Sequence, residues 1–246
     1  MMLAALPTRR DEAFRYSDID ALTAIWPVAA EAITIAADQN WSHSIINTAP
    51  DDDVFVRHLA ITCEPGSRGR LQILNAGGRL GRITVDVTLH QHCDFYLDAV
   101  QLGSGHQTVE LVTTITHAEP NAMSSQIVRS VLAGKATGTY LGKVAVARGA
   151  DGTDSTQSVK AMLLDRTATA NAKPELEIYA DDVKCAHGAT VGELDADALF
   201  YLAARGIAPP EAKRLLLQAF IASVFDGADG EDALTAAALR KLGEMV

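Results

Sequence analysis

Two short clusters in this 246-residue chain bring together side chains capable of metal or nucleophile chemistry. The first is Cys185-Ala186-His187. On a strand, residues two apart share a face, so this thiol and imidazole project side by side while Lys184 and Ala186 point the other way. A Cys–His pair can ligate a soft or borderline metal or form an activated nucleophile. The plainer reading is a small buried cysteine beside an ordinary surface histidine. The second cluster is His90-Gln91-His92-Cys93. His90 and His92 share a strand face, an arrangement used by metal-binding cupin enzymes, with Cys93 as a further donor. However, no glutamate follows at the spacing such a site needs. The polar residues of the preceding run, Arg82 to Leu89, fall on the same side as the two histidines, which points to solvent. A third stretch, Gly138 to Lys143, superficially suggests a phosphate loop. Its spacing is wrong, because Thr137 and Val144 stand where that motif needs glycine and Ser or Thr. No nucleophile-elbow signature supports a Ser–His–Asp triad.

The elements that must position these residues fall into three segments. Residues 1–50 read as mostly helical: Ser17 and Asp20 resemble a capping box, Leu22, Ile25 and Trp26 share a helical face, and Pro27 ends or bends the helix. Residues 51–192 form the core and contain no convincing helix. Ile83, Val85, Val87 and Leu89 alternate with polar neighbours as a half-buried strand should. Similar runs follow, such as Leu71 with Ile73 and Val159 with Ala161 and Leu163. So much strand without helix means a sandwich, a barrel or a β-helix. Val128, Val144 and Val159 recur at intervals of 16 and 15 residues, as stacked coils would. Asp151-Gly152 is the single tight hairpin signal. Residues 193–246 return to helix. Asp195 is a candidate N-cap, Ala198, Leu199 and Leu202 form an apolar stripe, Gly206 ends that helix, and Pro209 and Pro210 start the next. Leu215, Leu216, Ala219, Phe220 and Val224 continue the stripe, and a last helix covers Glu231 to Met245.

Composition narrows the function classes. With 21 basic against 31 acidic side chains the net charge is -10, so the average surface repels a phosphate backbone and nucleic acid is a poor partner. Three cysteines make no disulfide framework. No run approaches the roughly 20 apolar residues of a membrane helix, and Met1 to Pro7 lacks the charge-first order of a secretory leader. Together these point to a cytoplasmic protein with no membrane role.

The stretch Pro174 to Gly192, continuing through Leu194-Asp195, Ala198-Leu199-Phe200-Tyr201-Leu202 and Arg205-Gly206-Ile207, resembles the signature of the SufB/SufD family of iron–sulfur cluster assembly proteins. Tyr140-Leu141-Gly142-Lys143 and Gln157 to Leu164 are similar to that family too, as is Glu12 to Ser17 with Phe14 in place of the usual Trp. The similarity is to the SufD branch, because the extra cysteines expected of a SufB-type subunit are missing.

This resemblance implies a mainly β fold, a right-handed parallel β-helix core with short N-terminal and C-terminal helical segments. It implies a non-catalytic scaffold subunit that pairs with a SufB-like subunit through the core and carries a SufC-like ATPase on its C-terminal helices. A chain on its own can also pair with its own copy. The cluster is expected to be transient and held at the subunit interface, with none tightly bound in the isolated chain. His187 matches the family's candidate ligand, and Cys185 lies beside it. A flat-sided coil would present both outward, where a sister subunit completes the coordination sphere. The expected ATPase-docking surface includes Leu199, Leu202, Leu215 and Phe220. The competing reading is a cupin-like, all-β, metal-dependent enzyme using His90 and His92.

Overall fold

In a computed structural model describing residues 5–245, the alternating runs become twelve strands. They are β1 (Glu31–Ile35), β2 (Asn40–Asn47), β3 (Val54–Cys63), β4 (Arg68–Asn75), β5 (Leu80–Leu89), β6 (Asp94–Gly103), β7 (Thr108–His117), β8 (Met123–Leu132), β9 (Thr137–Val146), β10 (Thr153–Leu163), β11 (Thr169–Ile178) and β12 (Val183–Gly192). Odd-numbered strands form one six-stranded sheet and even-numbered strands another, each in sequential order. Every pairing between neighbours is parallel. The chain therefore winds as a parallel β-solenoid of six coils, each contributing one strand to each sheet.

Register explains the spacing seen in the sequence. Val128 lies directly beside Val159 on neighbouring coils, while Val144 belongs to the opposite sheet. The interval of 15 to 16 residues is thus half a coil. Strand parity is preserved from rung to rung, so Ile83, Val85, Val87 and Leu89 stack with Leu59, Leu71, Ile73, Phe95, Leu97 and Leu111 in one continuous core. Parallel sheets tend to bury both faces, and here the terminal segments cover part of each outer face.

Several expectations are corrected. Residues 31–47, placed in the N-terminal helical segment, form β1 and β2, the first coil. The Ala-rich stretch before Ile33 masks the alternation of a short edge strand. Among the described residues, helix in this region is limited to a 3₁₀ turn, Glu12–Phe14, and α1 (Ile19–Leu22). The cap of α1 is Asp18, which accepts from the amide of Ala21; the Ser17 hydroxyl instead donates to Glu110 on the outer face of the odd-strand sheet. Asp151-Gly152 makes no hairpin, because it is the corner leading from β9 into the parallel strand β10, with Gly152 at φ 74°.

Arg82, expected on a solvated face, is buried. Its guanidinium meets Glu110 at 2.5 Å and donates to Ser17 Oγ (2.9 Å) and to the Ala13 carbonyl (2.9 Å). The Phe14 ring lies 4.1 Å from its Cζ. These contacts, with Leu22 packed on Leu80, seat the N-terminal segment on the outer face of the odd-strand sheet.

The helices α2 (Ala196–Ala204), α3 (Pro209–Ile221) and α4 (Glu231–Gly243) follow β12. Asp195 caps α2, accepting from the amides of Asp197 and Ala198, and Pro209 and Pro210 open α3. Leu217 and Ile221 of α3, with Leu234 and Leu242 of α4, pack on Leu74, Val100 and Val131 of the even-strand outer face. Arg70 fastens the α3–α4 connection by donating to the carbonyls of Asp226 (2.9 Å) and Gly227 (3.0 Å). None of the helices among the described residues is long and apolar enough to cross a membrane.

Candidate functional site on the terminal coil

The solenoid ends at β11 and β12. In-register pairing places Cys185 beside Ser155 and His187 beside Gln157. Ser155 and Gln157 are buried, so parity assigns Cys185 and His187 to the row that lines the interior in earlier coils. This differs from the expected outward projection. The two side chains are accessible for another reason: among the described residues no strand pairs with the far edges of β11 and β12. The final coil's inner row is left open, and His187 is exposed while Cys185 is half-buried. Around them the same open end shows apolar surface, with Val191 49% and Ile178 39% exposed. Lys184 and Ala186 occupy the other face, as the spacing predicts.

Cys185 rests against the last apolar cluster, formed by Val144, Val146 and Ala150. Burial raises its thiol pKa, the Asp154 carboxylate adds to the rise, and a hydrogen bond with the Ser155 backbone works in the opposite direction. The isolated chain therefore holds Cys185 as a thiol, which is a poor metal ligand until something nearby favours the thiolate.

The second cluster does not assemble. His90 follows the end of β5, with Nδ1 3.2 Å from Glu119 Oε1. Glu119 also accepts from the amide of Gln91, and these bonds, the amide first, lower its pKa. This is a corner clip between coils. His92 occupies a turn with φ 60°, so it does not continue the strand face of His90. The Cys93 thiol turns inward and donates to the carbonyls of Cys63 (3.2 Å) and Glu64 (3.0 Å). Cys63, next to it, has its pKa pushed up to about 12 by burial and by Cys93. Among the described residues no group of three or more His, Cys, Asp or Glu side chains is placed to hold a metal ion.

The phosphate-loop look-alike is strand β9. Its Gly142 serves packing: a Cβ there would lie 2.1 Å from Tyr140 Oη, so the glycine makes room for a buried phenol.

On the helical side, Phe220 packs half-buried on the cluster beneath α3. Leu215 is exposed and lines an apolar groove of about 360 Å³ between α3 and α4, with Phe225 and Leu239. Leu199 lines a cleft of about 540 Å³ with Pro209 and Pro210, and Leu202 is half-buried. Helix α2 buries no residue at all. Its most exposed apolar side chains, Phe200 (76%) and Tyr201 (55%), were missed in reading the stripe. An aromatic pair lying off the apolar face is the signal that could have found them.

The chain is similar to several known proteins. The profile of the family described as "SUF system FeS cluster assembly, SufBD core domain" matches residues 23–220. The chain is 30% identical over 213 residues to "Iron-sulfur cluster assembly protein SufD" of Escherichia coli, covering 86% of this chain and 50% of that protein. It is 33% identical over 178 residues to an "Iron-sulfur cluster assembly SufBD family protein" of Synechocystis, covering 71% of this chain and 39% of that one. A match at 30% identity over 208 residues to "Protein ABCI7, chloroplastic" of Arabidopsis thaliana covers 82% and 43% respectively. The chain thus spans half or less of the length of these relatives.

Proposed function

The chain belongs to the SufBD core family of the SUF iron–sulfur cluster assembly system, and from that premise we propose that it is a non-catalytic scaffold subunit completed by a partner across its terminal coil. The observation that carries this reading is the open inner row of β12, where Cys185 and His187 stand together at an unpaired sheet edge. An iron–sulfur cluster is held by about four ligands, mostly thiolates, with histidine as an occasional replacement. One thiol and one imidazole are half a set. Exposed strand edges invite pairing, and the apolar exposure of Ile178 and Val191 favours a protein over water there. A SufB-like subunit docking on this edge would supply the missing ligands. The cluster is then cargo, assembled between subunits and released. In the absence of that subunit, a second copy of this chain can occupy the same edge.

The SufC-like ATPase is assigned to the opposite end of the same logic. Phe200 and Tyr201 on α2, and the groove containing Leu215, leave apolar surface uncovered after α3 and α4 have packed on the solenoid. ATP would be hydrolysed by that partner and not by this chain. Cytoplasmic placement belongs to the same proposal, although the Arabidopsis relative is named as chloroplastic, so the family is not tied to one compartment.

The test is His187→Ala in the co-expressed complex. The variant should fold and pair normally yet fail to build a cluster, read by visible absorption and by activation of a recipient apoprotein. Undiminished assembly would remove His187 from the site.

A further inference from the structure

The solenoid interior changes character as it approaches the open end. On the even-strand sheet, the row that ends at His187 starts at His43 on the first coil, passes through Leu71 and Leu97, and continues as Gln126 and Gln157. The row that ends at Cys185 runs from Phe95 to Ser124 and Ser155. All four polar residues are buried. They are bonded inside the core: Ser124 Oγ lies 2.8 Å from Ser155 Oγ, and Gln126 Oε1 accepts from Thr113 Oγ1 (2.8 Å) and Tyr140 Oη (3.0 Å). The amide nitrogen of Gln157 donates to Tyr140 Oη at 3.2 Å. The earlier coils show that leucine fills the same row, so packing alone does not call for glutamine here.

Two atoms of this network are left over, Gln126 Nε2 and Gln157 Oε1, and the second belongs to the rung next to the site. Gln157 is 3% exposed and its Oε1 has no hydrogen-bond partner among the described residues. A buried acceptor without a donor is unfavourable and rare in native proteins. Its register neighbour on the next rung is His187, and adjacent rungs stand about 4.8 Å apart, within reach of an imidazole N–H. Ring nitrogens of ligating histidines are commonly set in this way, by a carbonyl or carboxylate that takes the other N–H.

We propose that Gln157 is a positioning residue for His187: its buried carbonyl oxygen accepts the imidazole N–H, so that the other ring nitrogen is held unprotonated and turned to the shared face. Tyr140 holds the amide from behind, and Gly142 makes the space that Tyr140 needs. The inference rests on the reading of His187 as the group that faces the cluster.

The test is the imidazole ¹⁵N spectrum of the labelled full chain, with the His187 signals identified by their loss in His187→Ala. Wild-type protein should show one dominant tautomer at His187. In Gln157→Leu the tautomer ratio should move toward that of an unstructured histidine peptide by about 2- to 10-fold, the range that the net worth of one such hydrogen bond allows. Tyr140→Phe keeps the ring and removes only the hydroxyl, so it serves if Gln157→Leu does not fold, and it should shift the ratio part way in the same direction. A tautomer ratio unchanged in a folded variant overturns the proposal and leaves the ligand assignment standing. The converse failure is separate, because normal cluster assembly by His187→Ala removes the ligand assignment whatever the tautomer does.

Discussion

Removing the carboxylate of Glu110 should loosen the N-terminal segment before it unfolds the solenoid. The Arg82 and Glu110 side chains are 4% and 1% exposed and 2.5 Å apart, and Ser17 bridges them from the N-terminal segment. Breaking a buried pair by deleting one partner strands the other charge and costs about 3–5 kcal/mol. Glu110→Ala has an escape route, however. If residues 8–22 lift away, water reaches the Arg82 guanidinium, and the loss is limited to what that segment contributes by docking. Full burial of Leu22 contributes about 1.5–3 kcal/mol of this, with the Phe14 ring over Arg82 adding a smaller part. The expected outcome is therefore a stability loss of about 3 kcal/mol in chemical denaturation, together with rapid tryptic cleavage at Arg9, Arg10 and Arg15 while the core stays resistant. The double variant Arg82→Leu/Glu110→Leu should regain most of the stability, because no charge is left stranded. A loss below about 1 kcal/mol for Glu110→Ala, with residues 9–15 as protected as in the wild type, would refute the idea that this buried pair holds the segment.

The raised thiol pKa of Cys185 predicts slow alkylation by iodoacetamide at neutral pH, rising steeply above the usual thiol range; Asp154→Asn removes one of the causes and should speed the reaction at pH 8. His117 is fully buried beside Ser124 (2.9 Å), and burial lowers its pKa from the usual 6.5 to about 4. The unfolded chain takes up that proton first, so the His117 contribution is complete above about 6.5 and is lost as pH falls toward about 4, by up to about 1.4 kcal/mol per pH unit. Stability measured across this window should be flatter for His117→Gln than for the wild type; parallel profiles would show that His117 is not held neutral. Charge reversal at Lys213 and Arg214, or Phe200→Ala with Tyr201→Ala, should abolish capture of a SufC-like ATPase without changing the melting temperature. Unchanged capture would exclude α2 and α3 as the docking surface.

The alternation of Ile83, Val85, Val87 and Leu89 and the half-coil interval from Val128 to Val159 were legible because each records a local, repeated demand: one face in and one face out, rung after rung. The N-cap at Asp195 and the helix start at Pro209 were legible for the same reason. What escaped depends on partners distant in sequence. Arg82 looks solvated by its neighbours and is buried only because Phe14 and Ser17 fold over it. The strands at 31–35 and 40–47 are short and sit at an end of the solenoid, where fewer neighbours enforce the pattern. Cys185 and His187 could be placed on one face from spacing alone. That this face is the solenoid interior, reached only because the coils stop there, requires the register with Ser155 and Gln157. The exposure of Phe200 and Tyr201 is not legible in the stripe of Ala198, Leu199 and Leu202, because that pattern marks an apolar face without showing that α2 buries none of it.

Amide hydrogen exchange across β11 and β12, with and without a co-purified SufB-like subunit, tests the central claim most directly. Alone, the amides of residues 183–192 on the unpaired edge should exchange quickly. In the complex they should slow by about tenfold or more, the signature of new backbone pairing, while β1 and β2 at the far end stay unchanged. A stable complex that leaves residues 183–192 exchanging as before would contradict the account.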